Sequence, residues 1–385
     1  MTDFHCAAIH HNIRVEGDVL RGVRILPCCV YQTDNNYTTL AQYHNSEEIQ
    51  ELKKTTTWPT GCQTCHKQEK QGQTSNRTHH NITWPETTKS NGTRVEIFPS
   101  NICNLKCLMC WPTASSALAE ERNKIQNIKS SVTEFDITDD CLGIAQEVDN
   151  IESISLIGGE FFLARGNLKI MDFAIERNIP VRAVTNATVI LPEHIKRLKQ
   201  ISKLELQISV DGVDTSYEFM RYPAKWNTFK KNVELITREL HPDRLNFHYV
   251  VQVLNIQNLV PALDYLNRYR IKTRITNLVG PRWLSWVILD IEEKKKIVEV
   301  LQQHKGHYAI TTSQKRFVET LCQTILASEY DAMARQEFVD TIGKTIKIRK
   351  LTDDVVQQQF GIFTNLIGGE REIRTHDGLF RSMPA

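Results

Sequence analysis

From residue 94 onward the chain alternates short apolar runs with longer stretches of helical period. Residues 95–98 alternate apolar and polar positions and predict a strand. Runs at 151–157, 180–184, 204–210, 245–254 and 273–278 predict five more. The intervening segments 115–128, 168–177, 192–200, 226–240 and 259–269 predict helices. In 168–177 the apolar positions fall at Ile170, Met171, Phe173, Ala174 and Ile175. Pro192 suits the first turn of its helix, where a missing N–H costs nothing. Strands alternating with helices of this length imply βαβ units and a parallel sheet. Six such units over roughly 94–280 are fewer than the eight of a closed barrel. The expected fold class is therefore α/β, with six βα units on a parallel sheet.

The flanks read differently. Residues 1–91 are rich in Cys, His, Thr and Asn, with few long apolar periods, and are expected to form a Cys-rich module. The barrel is expected over 92–282 and a helical extension over 283–367, clearest at 291–303. The basic run 344–350 reads as a solvated edge. Residues 368–385 have no clear period and are expected to be a disordered tail.

Composition changes the picture only at cysteine. The chain has 385 residues, 41% hydrophobic and 24% charged, which is ordinary for a globular protein. A net charge of +2 gives no electrostatic argument for nucleic acid. No apolar run has the length of a membrane span, and no secretory signal is visible, so a cytoplasmic location is expected. Ten Cys in such a chain point to metal or redox use rather than disulfides.

Cys103, Cys107 and Cys110 form a Cys-x3-Cys-x2-Cys run directly after the first barrel strand, with Trp111 next. Iron–sulfur clusters normally take four Cys ligands, so a run of three suggests a [4Fe–4S] cluster with one iron open. Three close thiolates could also serve zinc, but zinc ligands usually come in x2 or x4 pairs with a second pair farther on. The run resembles the radical S-adenosylmethionine (SAM) superfamily. That resemblance implies that SAM chelates the open iron through its amino and carboxylate groups. It also implies that the six βα units form a partial (β/α)6 TIM-type barrel, and a 5′-deoxyadenosyl radical that abstracts a substrate hydrogen.

Further motifs fall at strand C-termini, where parallel α/β folds bind ligands. Gly158-Gly159-Glu160 resembles the family's Gly-Gly-Glu-Pro, with Phe161 in place of Pro. Thr185-Asn186-Ala187 resembles Thr-Asn-Gly, and Ser209-Val-Asp211-Gly212 resembles Ser-(Ile/Val)-Asp-Gly. Arg221 stands where relatives place a guanidinium near the SAM carboxylate. The resemblance thus implies SAM binding by Gly158, Gly159, Glu160, Asn186, Ser209, Asp211 and Arg221. Asp-Gly is also a common turn pair, and Arg221 could be an ordinary surface residue. No catalytic side chain is assigned.

A second set comprises Cys6, Cys28, Cys29, Cys62 and Cys65. It looks like the auxiliary-cluster modules called SPASM and twitch, although those usually follow the barrel. An auxiliary [4Fe–4S] cluster is the expected occupant, and zinc stays open because four thiolates serve both. Adjacent Cys28 and Cys29 point in opposite directions if extended, so one of the two is expected to be a ligand. The functional expectation is a radical SAM enzyme acting on a peptide or protein. A ferredoxin, flavodoxin or reductase would supply electrons, and no membrane partner is expected. The alternatives are a small-metabolite substrate, in cofactor or nucleoside biosynthesis, or a non-enzymatic zinc-binding interaction protein.

Overall fold

The computed structural model of the chain describes residues 4–18, 22–70, 74–84, 92–128 and 134–352. The expected tail at 368–385 lies outside them. Eight strands are described: β1 Asn12–Asp18, β2 Gly22–Leu26, β3 Thr93–Phe98, β4 Ile151–Leu156, β5 Val181–Thr185, β6 Leu204–Ser209, β7 Leu245–Val251 and β8 Lys272–Asn277. They lie in the order β2-β1-β3-β4-β5-β6-β7-β8. β1 pairs with β3, β3 with β4, β4 with β5 and β7 with β8, all in parallel, while β1 and β2 form an antiparallel hairpin. β2 and β8 are the two edges, so the sheet does not close. This is an α/β fold with an open, mainly parallel sheet, and β3 to β8 are the six expected strands.

The hairpin β1–β2 was not legible in advance. Ile13 and Val15 are buried on one side, but the alternate positions are Arg14 and Glu16, both charged. The N-terminal 91 residues therefore supply two strands to the sheet as well as the helices that carry Cys62 and Cys65.

The chain divides into two compact units. The first comprises Met1–Asn104, Pro112–Ala117 and Ser130–Gln207. The second comprises Leu105–Trp111, Leu118–Lys129 and Ile208–Ala385. The dividing line thus passes through β6 and through the cysteine run.

In the first unit, the parallel register puts Ile13 beside Val95 and Val15 beside Ile97, all buried. The same register puts Arg14, Glu96, Ser155 and Arg182 in one row across β1, β3, β4 and β5, on the opposite face. Arg14 and Glu96 pair there, and Arg182 donates to Gln207 at 2.8 Å.

In the second unit, the helix Trp226–Glu239 buries Trp226, Phe229, Val233 and Ile236, a helical stripe. Each such burial stabilises by about 1.5–3 kcal/mol. Three long helices follow: Ile291–His307, Thr312–Ala327 and Ala332–Arg349. Asp290 caps the first by accepting from the Glu292 and Glu293 amides, both at 2.9 Å. The run 344–350 is not an edge. It is the last two turns of Ala332–Arg349 and the cap Lys350; Lys344, Lys347 and Lys350 are exposed, but Arg349 is buried, because Ala334, Phe338, Ile342, Thr345 and Arg349 share the inward stripe. No described helix is long and apolar enough to cross a membrane.

Candidate active site

β3 ends at Phe98, and five residues later the chain reaches Cys103. That approach is fastened to the end of β4. The Gly159 amide donates to the Ser100 carbonyl at 2.9 Å, and the Glu160 amide to the Ile102 carbonyl at 2.7 Å. Both glycines are required by this proximity. A β-carbon on Gly159 would sit 2.2 Å from the Ile102 oxygen. Gly158 has φ +138°, and its β-carbon would lie 2.7 Å from the Ser100 oxygen. We predict that Gly159→Ala destabilises the chain by about 1–3 kcal/mol, the usual cost of overpacking. Chemical denaturation under anaerobic conditions would measure it, and a variant as stable as the parent would refute the contact.

Glu160 is 2% exposed and ties β4 to β5. It accepts from the Thr185 hydroxyl at 2.5 Å and from the Asn186 amide at 2.6 Å. The Asn186 side chain donates to Asn104 Oδ1 at 3.0 Å, and Asn104 donates to Thr188 Oγ1 at 2.9 Å. Asn104, next to Cys103, was missed by sequence reasoning, as was Thr188. The only available signal was a polar residue directly after a cysteine.

Ala187 explains a departure noted in the sequence. Its φ is +55°, in the left-handed region that favours glycine. A non-glycine residue there costs about 1–2 kcal/mol, while glycine adds about 0.5–1 kcal/mol of unfolded-chain entropy. Ala187→Gly is therefore expected to stabilise by up to about 1 kcal/mol. A lower denaturation midpoint for the variant would contradict this.

Cys107 and Cys110 lie in the second unit. The Cys110 amide donates to the Cys107 carbonyl at 3.1 Å, closing a turn between the two residues. The loop is braced by main-chain bonds from Lys106 N to Tyr222 O at 2.6 Å and from Leu108 N to Met220 O at 3.1 Å. Cys107 is buried and Cys110 half-buried.

Asp211, at the turn after β6, is fully buried. Its Oδ2 accepts from Arg221 Nε at 2.8 Å and pairs with Nη2 at 2.7 Å, while Oδ1 accepts from the Val250 amide at 2.9 Å. Arg221 Nη1 reaches the Cys107 sulfur at 3.9 Å. Arg221 is thus buried between a carboxylate and a thiol rather than exposed. Burial works against its charge, but Asp211 and Cys107 hold its pKa above the usual range. Burial likewise pushes the Cys107 thiol up, and Arg221 partly offsets this. Ser209 ends β6 in the same unit, half-buried.

The N-terminal cysteines sort themselves. Cys6, Cys28, Cys62 and Cys65 line one pocket with Phe4, Ile9, Pro27, Val30, Tyr31 and Arg77. Cys29 is absent from that lining. Its electrostatic neighbours are Glu96, Arg14 and Glu16, on the polar face of the sheet. Burial pushes the Cys62 thiol up to about 12, with Cys6 and Cys65 adding to it. Cys6 is raised by burial, against the amides of Ala8 and Ile9. Among the described residues no three His, Cys, Asp or Glu side chains are close enough to hold a single metal ion. Four thiols on one pocket can serve either a [4Fe–4S] cluster or zinc as a donor set. Cys141 and Cys322 are buried elsewhere, at 0% and 4% exposure.

Residues 97–266 match the radical SAM superfamily. Enzymes of that superfamily use SAM and a [4Fe–4S] cluster, and the matched segment contains the Cys103–Cys110 run, the three strand-end motifs and Arg221. Over 139 residues the chain is 24% identical to the sporulation killing factor maturation protein SkfB of Bacillus subtilis (strain 168). That match spans 34% of this chain and 30% of the relative's length. Among solved structures, the chain resembles native anSMEcpe with bound AdoMet, at 18% identity and a TM-score of 0.41. That likeness covers 56% of this chain and 61% of the other. It also resembles Streptococcus suis SuiB bound to the precursor peptide SuiA, at 14% identity and a TM-score of 0.37. There the coverage is 65% and 61%.

Proposed function

We propose that this radical SAM enzyme modifies a peptide, with Cys103, Cys107 and Cys110 as ligands of the SAM-binding cluster. The observation that carries the cluster assignment is the Cys-x3-Cys-x2-Cys run at the end of β3, inside the matched segment. When bound, the cluster and SAM supply a 5′-deoxyadenosyl radical for hydrogen abstraction. The residues of the chain bind and orient. Glu160, with the backbone of Gly158 and Gly159, and Asn186 form the SAM-facing edge of β4 and β5. Ser209 offers a hydroxyl from β6. Asp211 and Arg221 form a buried pair that steadies Cys107, and Arg221 serves the SAM carboxylate side.

Cys6, Cys28, Cys62 and Cys65 hold an auxiliary [4Fe–4S] cluster. All four ligand places are then filled by protein, so this centre carries electrons rather than grasping substrate. A ferredoxin- or flavodoxin-type protein is the electron donor. The similarity to a sporulation killing factor maturation protein supports a peptide or protein substrate.

The test is anaerobic deoxyadenosine formation with fractionated peptide and metabolite pools. Stimulation by peptide alone supports this reading. Stimulation by metabolites alone replaces the peptide with a small molecule. One zinc per chain without iron or sulfide would reject the enzyme reading altogether.

A further inference from the structure

Arg349 closes the last turn of the helix Ala332–Arg349, yet its side chain is only 1% exposed. Glu121, Lys106, Phe219 and Tyr222, which it meets, all lie in the second unit. It meets the Glu121 carboxylate in a bidentate pair, Nη2 to Oε1 at 2.7 Å and Nε to Oε2 at 3.0 Å. Glu121 is itself 2% exposed and belongs to the helix Ser116–Gln126, which follows the cysteine loop. The remaining donors go to main chain. Nη2 donates to the Lys106 carbonyl at 2.5 Å and Nη1 to the Phe219 carbonyl at 3.3 Å. The guanidinium also lies over the Tyr222 ring, 4.7 Å from its centroid.

Lys106 immediately precedes Cys107, and its amide is held by the Tyr222 carbonyl. The peptide groups flanking Lys106 are thus gripped from both sides. One grip comes from the turn after the helix Asp214–Met220, the other from a side chain far along the sequence. A guanidinium suits this place because its planar fork presents five donors in fixed directions. An ammonium cannot hold a carboxylate bidentately and reach two carbonyls as well.

We propose that Arg349 is a positioning residue for the cysteine loop. Held by Glu121, it fixes the Lys106 carbonyl and thereby the direction in which Cys107 presents its thiol. The inference rests on the reading of Cys107 as a cluster ligand. It assigns the C-terminal helix a part in assembling the SAM site.

The test uses the full chain, reconstituted anaerobically, and three variants. Arg349→Gln removes the clamp. Arg349→Lys keeps the charge opposite Glu121. Arg335→Gln breaks a different ion pair of the same helix, with Glu293 at 2.7 Å, away from the loop. Circular dichroism and thermal unfolding report the fold, and EPR of the reduced protein with and without SAM reports the site. Arg349→Gln is expected to weaken SAM binding about tenfold, the equivalent of one contact of this strength. It should also broaden or lose the SAM-induced EPR change while keeping the auxiliary iron. Arg349→Lys should fall between it and the parent, and Arg335→Gln should match the parent's SAM response. The proposal is overturned if Arg349→Gln responds to SAM as the parent does. It is equally overturned if Arg335→Gln weakens SAM as much, since the effect would then be general loss of stability. Should Arg349→Gln fail to fold, Arg349→Lys decides: parental SAM affinity rejects the clamp, and weakened affinity in a folded variant supports it. A parent with no SAM-responsive signal would instead remove the cluster assignment itself, and the clamp would fall with it.

Discussion

Replacing Cys103, Cys107 and Cys110 together with Ala is expected to abolish SAM cleavage and to remove about four irons per chain, one cluster's worth. The effect should be complete rather than graded, because the three thiolates act as one ligand set. The iron that remains should belong to the pocket of Cys6, Cys28, Cys62 and Cys65. Its EPR signal should not change when SAM is added, since no ligand place there is left for SAM. Anaerobic iron and sulfide analysis, EPR and deoxyadenosine assay of the same preparation check all three points. Undiminished deoxyadenosine from the triple variant would sink the assignment. A triple variant with one zinc and no iron would withdraw the auxiliary cluster while leaving the SAM site standing.

Arg221→Ala is expected to cost about 3–5 kcal/mol, the range for removing one partner of a buried ion pair. Asp211 is fully buried, so its carboxylate would keep the Val250 amide but lose its counter-charge. An exposed pair would cost no more than about 1 kcal/mol, so the two cases are well separated. The charge-neutralising partner change Asp211→Asn should recover part of the loss in the double variant, because the burden is an unpaired charge rather than missing volume. Denaturant unfolding of the four members of this cycle gives the coupling directly. An Arg221→Ala variant within about 1 kcal/mol of the parent would show that the pair is solvated and not a brace for Cys107.

Much of the fold and of the candidate chemistry was readable from local order. The six barrel strands announced themselves through apolar runs of strand length, and their polar ends marked where ligands belong. The cysteine run was readable because three cysteines within eight residues need no tertiary information to be recognised. Gly158, Gly159 and Ala187 were noticed as motif positions. Their physical reason came only from contact: carbonyls of the Cys103 approach stand where side chains would be, and Ala187 occupies a left-handed backbone.

Other features were invisible for identifiable reasons. The hairpin β1–β2 carries charge on a buried face, so it offers no long apolar period to read. Cys28 and Cys29 are equivalent in sequence, and only the pocket separated the thiol that faces Cys6, Cys62 and Cys65 from the one that faces Arg14 and Glu96. Arg349 sat in a basic run that a sequence reader assigns to solvent. Its partner Glu121 is 228 positions away, and a lone charge reveals nothing of the carboxylate it will meet. The sequence by itself determined the candidate ligand types, their local spacing and where the sheet's main strands run, because those depend on near neighbours. Tertiary structure decided which charges are buried, which cysteines converge and what grips the loop around Cys107, because each of those requires groups far apart in the chain to exclude water together.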